Sequence, residues 1–146
     1  MPTLATLSLT PGPQAIPQAL AWLESLARKH QWPPRLAFKL RLCLDEALTN
    51  IVEYGFADKP ASTTPGQISV AVSADGRRLA LDIVDNGVAF DPTQGQPSAL
   101  ASSLGEARVG GHGLRLMQHY LEDIDYRRVN EQNHLRLTAT QDADAG

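Results

Sequence analysis

Two polar side chains that could do chemistry lie one helical turn apart in residues 42–54, LCLDEALTNIVEY. The apolar residues of this stretch recur at spacings of three and four, which predicts the buried face of a helix. Glu46 and Asn50 stand at i and i+4 on an adjoining face, so their side chains point the same way. An amide oxygen can ligate a hard cation without adding charge, and a carboxylate can accept a proton. The pair suits a site for a metal-bound polyanion, although this spacing is also common on solvated helix faces.

A third candidate is Asp85, which follows the apolar run 79–84 and precedes Asn86 and Gly87. A carboxylate fixed at the end of a strand can accept a hydrogen bond from an exocyclic amine. Glycine at position 87 would let the backbone approach a base closely. Asp-Asn-Gly is also a frequent turn sequence, so a hairpin-like turn with a capping aspartate is the alternative interpretation.

A glycine-rich segment, 110–113 with sequence GGHG, precedes the periodic stretch 114–121, which predicts a short helix. Free N–H groups at a helix N-terminus, with no side chains in the way, suit an anionic phosphate. A flexible linker is the alternative, but it does not explain why the glycines adjoin a helix start. His112 and Arg115 are interpreted as exposed positions rather than as ligands.

The elements that must position these residues follow from hydrophobic periodicity and turn signals. We predict an α+β fold, a two-layer α/β sandwich in which a mixed sheet of four to five strands carries helices on one face. Residues 1–140 would form a single domain, with a frayed tail at 141–146. Turns are expected at 74–77 and 130–133, and a lid-like loop at 91–110. The predicted strands are 3–9, 67–73, 79–84, 124–129 and 135–140, and the longer helices are 14–30 and 35–56.

Length, net charge and the lack of long apolar runs limit the classes to which this protein can belong. The chain has 146 residues, enough for one domain with a core, and a formal net charge of −3 with scattered basic residues. Nucleic acid is therefore not expected as a direct partner. Cys43, the one cysteine, is predicted to be a small core residue. No apolar run approaches a membrane span and no signal peptide is recognisable, so we expect a cytoplasmic protein without membrane contact.

Taken in order, the motifs E-x-x-x-N, D-x-G and G-x-G resemble the ATP-binding boxes of the GHKL ATPase fold. Within that superfamily the chain looks like the anti-sigma factor serine/threonine kinases, the switch kinases of bacterial partner-switching systems. The resemblance covers about residues 1–140. The sequence departs from the family's usual D-x-G-x-G motif at Ala89, which stands where that motif has its second glycine. The motif residues are Glu46 and Asn50, Asp85 and Gly87, and Gly111 and Gly113.

The resemblance implies roles for the helical pair. Glu46 would be the general base toward an incoming hydroxyl, or would orient it, and Asn50 would ligate Mg²⁺ bridging the phosphates of ATP. The neighbouring Asp45 is a second choice, because its helical phase differs.

The resemblance also implies a nucleotide subsite. Asp85 would read adenine, whereas the 6-oxo group of guanine would leave its acceptor unmatched. Gly87 would lie near the base, and Gly111 and Gly113 would lie against the phosphates beneath a lid. Many relatives have a threonine just before the last strand, near the base. Residues 132–134 read Gln-Asn-His here, so no residue is assigned that role.

The motifs leave four candidate functions. The first is an ATP-dependent serine/threonine kinase and anti-sigma factor that phosphorylates an anti-sigma-factor antagonist; a sigma factor partner and a homodimer are implied by the resemblance alone. The second is a nucleotide-binding module that sequesters a partner without kinase activity. The ATPase domain of a two-component histidine kinase is disfavoured, because no helical hairpin with a phosphoacceptor histidine precedes the motifs. An α/β domain without a nucleotide site does not explain three motifs in order.

Overall fold

The computed structural model describes residues 1–56, 65–92 and 117–141. Within these residues the chain forms five strands and two α-helices, and a π-helical turn, Ile51–Gly55, extends the second helix. Residues 117–120 form a further helical turn. In chain order the elements are β1 (Thr3–Leu9), α1 (Ala15–Lys29), α2 (Pro34–Asn50), β2 (Ile68–Asp75), β3 (Arg78–Asp85), β4 (Asp123–Val129) and β5 (Gln132–Thr140).

The strands form one sheet in the order β1-β2-β3-β5-β4. Alternation along each strand turns one set of side chains toward the helices and the other set outward. The predicted α+β class, with a five-stranded sheet and helices, is confirmed. One detail differs from the expectation, since every described strand pair is antiparallel rather than mixed. Short turns join β2 to β3 and β4 to β5, and such hairpins can only pair antiparallel.

The core lies between the two helices and the inner face of the sheet. Both helices contribute leucines at helical spacing, and the strands contribute alternate aliphatic residues, as periodicity predicts. Cys43 is fully buried here, as expected of a small core residue. The largest fully buried side chains include Leu23, Leu40, Leu44 and Leu48 from the helices and Val70, Leu81, Ile83 and Leu137 from the sheet.

Both hairpin turns are shorter than the sequence indicated. Asp75 pairs with Arg78, so β2 and β3 are joined by two residues, of which Gly76 has a φ of 61°. In the second hairpin, Asn130 and Glu131 have φ values of 51° and 63°. Two consecutive left-handed residues match the twist of the flanking strands, so two residues suffice for this turn. The predicted turn at 130–133 is thus wrong at its end, because β5 begins at position 132.

The helix boundaries agree with the prediction within one residue, except at the end of α2. The sequence predicted one helix over 35–56, but α-helical geometry ends at Asn50 and the π-helical turn continues to Gly55. Pro34 occupies the first turn of α2, where its missing N–H costs no hydrogen bond. None of the described helices combines the length and the apolar character needed to cross a bilayer. The predicted lid and tail lie largely outside the described residues.

Candidate functional site

Two unpaired polar atoms mark the C-terminal half of α2. Asn50 is 3% exposed and Glu46, one turn earlier, is half-buried. Asn50 Oδ1 and Glu46 Oε2 are both buried and find no hydrogen-bond partner within the described part of the chain. Buried polar atoms are paired in most proteins, and leaving one unpaired costs about 1–3 kcal/mol. Two such atoms one turn apart indicate a site whose remaining ligand is not a residue of the described chain.

The electrostatics of α2 suit Glu46 for proton transfer. Burial raises the pKa of its carboxyl above the usual range, and the negative charges of Asp45 and Glu53 raise it further. A carboxylate with a raised pKa is a stronger base than an exposed one. Asp45 instead accepts a hydrogen bond from the Thr49 hydroxyl (3.3 Å).

Asp85 ends β3 with its side chain turned toward the helices, and it is 3% exposed. Its Oδ1 accepts hydrogen bonds from the Gly87 backbone N–H (2.9 Å) and from the Asn133 side-chain amide (3.0 Å). Asp85 and Asn50 line the same cleft. The other lining residues are Ala47, Ile51, Phe90, Pro92, Tyr126, Asn133 and Leu135. The structure therefore brings Asn50 of the helical motif and Asp85 of the strand-end motif to the same cleft, which we call the nucleotide cleft after the role that the motifs predict.

Gly87 is required by the backbone that lies against it. A Cβ at this position would stand 2.5 Å from the Gly55 carbonyl oxygen and 3.0 Å from Asp85 Oδ1. The next residue, Val88, donates its N–H to the same Gly55 carbonyl (2.9 Å). The end of α2 and the loop after β3 are thus joined without space for a side chain. This reason for glycine is separate from the expected approach to a base.

The middle residue of the D-N-G sequence has a structural role. Asn86 Oδ1 accepts a hydrogen bond from the Gln67 N–H (2.7 Å), and Asn86 Nδ2 donates to the Pro65 carbonyl (2.8 Å). These contacts anchor the segment that leads into β2. Ala89, which replaces the second glycine of the family motif, is exposed and does not have a positive φ. Glycine is therefore not needed there for backbone reasons.

Sequence reasoning missed Asn133, a side chain that joins several parts of the site. It is 5% exposed on β5. Its Nδ2 donates to Asp85 Oδ1 (3.0 Å) and to the Val88 carbonyl (2.9 Å). Its Oδ1 accepts from the Phe90 N–H (3.4 Å) and from the Tyr126 hydroxyl. An asparagine side chain can make about four hydrogen bonds, and Asn133 makes all four within the protein.

A sequence signal for Asn133 did exist. It stands in phase with Leu135, Leu137 and Ala139, the inward-facing residues of β5. A polar residue in an inward phase is expected to have a buried partner. The prediction of a turn over 130–133 excludes Asn133 from the alternating pattern of β5, and this conceals the signal.

Two further residues of β4 complete the site. Tyr126 lines the nucleotide cleft, and burial raises the pKa of its phenol, so the hydroxyl keeps its proton and remains a donor. Arg128 Nη1 donates to the Gly87 carbonyl (2.8 Å). The loop after β3 is therefore held by Gly55 on one side and by Asn133 and Arg128 on the other.

The remaining predicted residues, Gly111 and Gly113, lie outside the described residues, as do His112 and Arg115. Within the described chain, no three His, Cys, Asp or Glu side chains come together as a metal cluster. The unpaired, buried Asn50 Oδ1 is nevertheless a fitting ligand for Mg²⁺. That cation takes hard oxygen ligands, keeps several waters and uses few protein groups beside substrate phosphates.

The fold and the site place the protein in a known class. Residues 9–139 match the family described as the histidine kinase-like ATPase domain. The chain belongs to this family, which confirms the resemblance drawn from the three motifs.

Individual relatives refine this assignment. The chain is 44% identical over 137 residues, 92% of both chains, to the serine/threonine-protein kinase BtrW of Bordetella bronchiseptica. The predicted enzyme class, a protein kinase, is thereby confirmed. The structure of the SiaB–SiaC complex from Pseudomonas aeruginosa shares the fold, with a TM-score of 0.60 and 14% identity over 94% of this chain and 89% of that chain. The blue-light-activated histidine kinase EL346 of Erythrobacter litoralis matches with a TM-score of 0.47 and 21% identity, over 72% of this chain and 44% of that chain.

Proposed function

We propose that the protein transfers the γ-phosphoryl group of ATP to a serine hydroxyl of a partner protein, with Glu46 as the residue that accepts or orients the hydroxyl proton. The observation that carries this proposal is the pair of buried, unpaired oxygens on α2, Glu46 Oε2 and Asn50 Oδ1. A binding site that is complete without ligands would not leave two such atoms side by side.

In this proposal each of the predicted site residues has its own role. Asn50 would hold Mg²⁺, which offsets the charge that develops on the phosphates. Glu46, with its raised pKa, takes the proton of the attacking serine. Asp85 accepts a hydrogen bond from the 6-amino group of adenine, and the 6-oxo group of guanine offers no matching donor. Gly87, Gly111 and Gly113 keep side chains away from the nucleotide.

The phosphate acceptor in this proposal is a serine of an anti-sigma-factor antagonist. Support comes from the motif resemblance to switch kinases and from the 44% identity to a serine/threonine-protein kinase. Phosphorylation adds about −1.5 to −2 charge at the serine. That charge would lower the antagonist's affinity and free this protein to bind a sigma factor in the cytoplasm. A homodimer belongs to the same proposal, with the edge strand β1 as a contact.

Calorimetric titration of ATP, ADP and GTP with Mg²⁺, into the wild type and into Asp85→Asn, tests the nucleotide site. We expect ATP and ADP to bind, GTP not to bind, and the mutant to lose binding. A folded wild type that binds none of the three would reject the proposal. In Asn50→Ala, Mg-ATP binding should weaken far more than metal-free ATP binding, and equal losses would reject the metal role.

Glu46→Gln separates the kinase from a nucleotide-binding module without kinase activity. Phosphoryl transfer to the partner should fall by about 10²- to 10⁴-fold, the usual contribution of a general base, while ATP affinity stays within about 3-fold. Glu53→Gln is the matched control, because it removes the same charge from an exposed position on the following π-helical turn. Unchanged transfer in Glu46→Gln would leave the binding module as the better description.

A further inference from the structure

Asn133 has no hydrogen-bonding capacity left for a ligand. Both hydrogens of its amide are donated, to Asp85 Oδ1 and to the Val88 carbonyl, and its oxygen accepts from Tyr126 and Phe90. A side chain with all four hydrogen bonds made within the protein does not read a base directly. Its effect on a ligand must pass through the groups that it holds.

The group it holds most directly is the carboxylate of Asp85. Oδ1 of that carboxylate accepts from two protein donors, the Gly87 N–H and the Asn133 amide. An sp² oxygen has two lone pairs, so these donors saturate Oδ1 and any further donor must address Oδ2. The two donors also fix the plane of the carboxylate, and hydrogen-bond strength falls steeply with misalignment.

Tyr126 fixes the orientation of Asn133 in turn. An amide that flipped by half a turn would aim its oxygen at Asp85 Oδ1, acceptor against acceptor. The Tyr126 hydroxyl donates to Asn133 Oδ1 and thereby favours the orientation in which the NH₂ group faces Asp85. Burial of the phenol raises its pKa, so this donor keeps its proton at neutral pH.

We infer that Asn133 and Tyr126 are positioning residues that set the adenine specificity of the nucleotide cleft by aiming the Asp85 carboxylate. This inference rests on the proposed function, because it assumes that Asp85 reads the 6-amino group. The pair acts on the base end of the nucleotide only. Its removal should therefore cost ATP and ADP the same factor.

The test compares ATP with purine riboside triphosphate, which lacks only the 6-amino group. Calorimetry gives the affinity ratio of the two nucleotides for the wild type, Asn133→Ala and Tyr126→Phe. In the wild type we expect ATP to bind about 10- to 100-fold more tightly, as for a hydrogen bond to a charged group. The ratio should fall to within about 3-fold in Asn133→Ala, and to an intermediate value in Tyr126→Phe.

Gln132→Ala is the matched control, since Gln132 precedes Asn133 on β5 and lies on the opposite face of the sheet. It should keep the wild-type ratio. A purely structural role for Asn133 would weaken both nucleotides equally and leave the ratio unchanged, which would overturn the inference. If Asn133→Ala does not fold, the affinity ratio of Tyr126→Phe tests the inference: a ratio equal to that of the wild type would overturn it.

The outcomes distinguish this inference from the proposed function. A wild type that binds neither nucleotide rejects the proposed function, and the inference falls with it. A wild type that prefers ATP, with variants that keep that preference, rejects the positioning role alone. Equal wild-type affinity for the two nucleotides shows that the 6-amino group is not read, and this also overturns the inference.

Discussion

Two groups of polar side chains at the candidate site differ in how completely they are paired. Around Asp85, which we call the base end after its proposed role, Asn133 makes four hydrogen bonds and Asp85 Oδ1 accepts two. At the other end, Asn50 Oδ1 and Glu46 Oε2 make none within the described chain. Both asparagines are almost fully buried, so burial does not explain the contrast.

The contrast separates groups that stabilise the folded protein from groups that would gain hydrogen bonds only when a ligand binds. Paired groups stabilise the fold and, in the proposed function, would give the base a rigid receptor at little cost in reorganisation on binding. Unpaired buried groups destabilise the protein before the ligand arrives, and the ligand recovers that cost. We therefore expect the base end to govern specificity and stability, and the α2 end to govern chemistry.

Asn133→Leu should have the largest effect on stability. The substitution leaves four polar groups without this partner, among them the buried carboxylate oxygen of Asp85, so we expect a loss of about 3 kcal/mol or more. Urea denaturation of the nucleotide-free protein measures the change.

The matched variant is Asn50→Leu, the same substitution at the other buried asparagine. Because Asn50 Oδ1 has no described partner, this change should stabilise the nucleotide-free protein by about 1 kcal/mol. If both variants lost the same stability, the contrast between the two ends would be refuted.

Gly87→Ala should come next in size. Its Cβ would stand 2.5 Å from the Gly55 carbonyl, so the loop and the end of α2 must separate. Overpacking of this kind costs about 1–3 kcal/mol. Thermal denaturation and ATP titration should both show a loss. Gly12→Ala is an unsuitable control because Gly12 has a φ of 151°. Gly55→Ala should be milder, because its Cβ would stand 3.7 Å from the Ile51 side chain, an ordinary contact distance.

Glu46→Gln should change the pH dependence of stability. The pKa of Glu46 is raised in the folded protein, so folding favours its protonated form. The stability that this form contributes is present below the ordinary glutamate pKa and is lost as pH rises through the raised value. The glutamine variant has no such loss, so its stability relative to the wild type should increase with pH. Urea midpoints at about pH 4 and about pH 8 bracket this change, and Glu24→Gln controls for net charge.

Ala89→Gly should have the smallest effect. It restores the second glycine of the family motif at an exposed position without a positive φ. We expect a stability loss of about 0.5 kcal/mol, through the entropy of the unfolded chain, and nearly unchanged ATP affinity. A large gain in affinity would show that the loop after β3 is less well formed for its ligand than its hydrogen bonds indicate.

Local pattern was enough to predict part of this site. The helical spacing of Glu46 and Asn50 and the position of Asp85 after an apolar strand depend on nearby residues alone, and the structure places all three as expected. Whether Gly111 and Gly113 contact phosphates stays a prediction.

What could not be predicted depends on contacts distant in sequence. The π-helical turn ends at Gly55, whose carbonyl is bound by Val88, and no local signal distinguishes this turn from an α-helix. The pairing of β3 with β5 brings Asn133 beside Asp85, 48 positions away in the chain. Four consecutive polar residues at 130–133 also concealed where the second hairpin turn ends.

The hydrogen bonds of the Asn86 side chain affect how readily the Asn86-Gly87 pair deamidates. An Asn-Gly pair in a flexible peptide deamidates readily, because the glycine nitrogen attacks the side-chain carbonyl carbon and forms a cyclic imide. Here the Asn86 amide is bound at both ends, to Gln67 and Pro65, and the Gly87 nitrogen is engaged by Asp85. Ring closure would require these hydrogen bonds to break. The contacts that shape the base end of the cleft therefore also protect this dipeptide from spontaneous chemical damage.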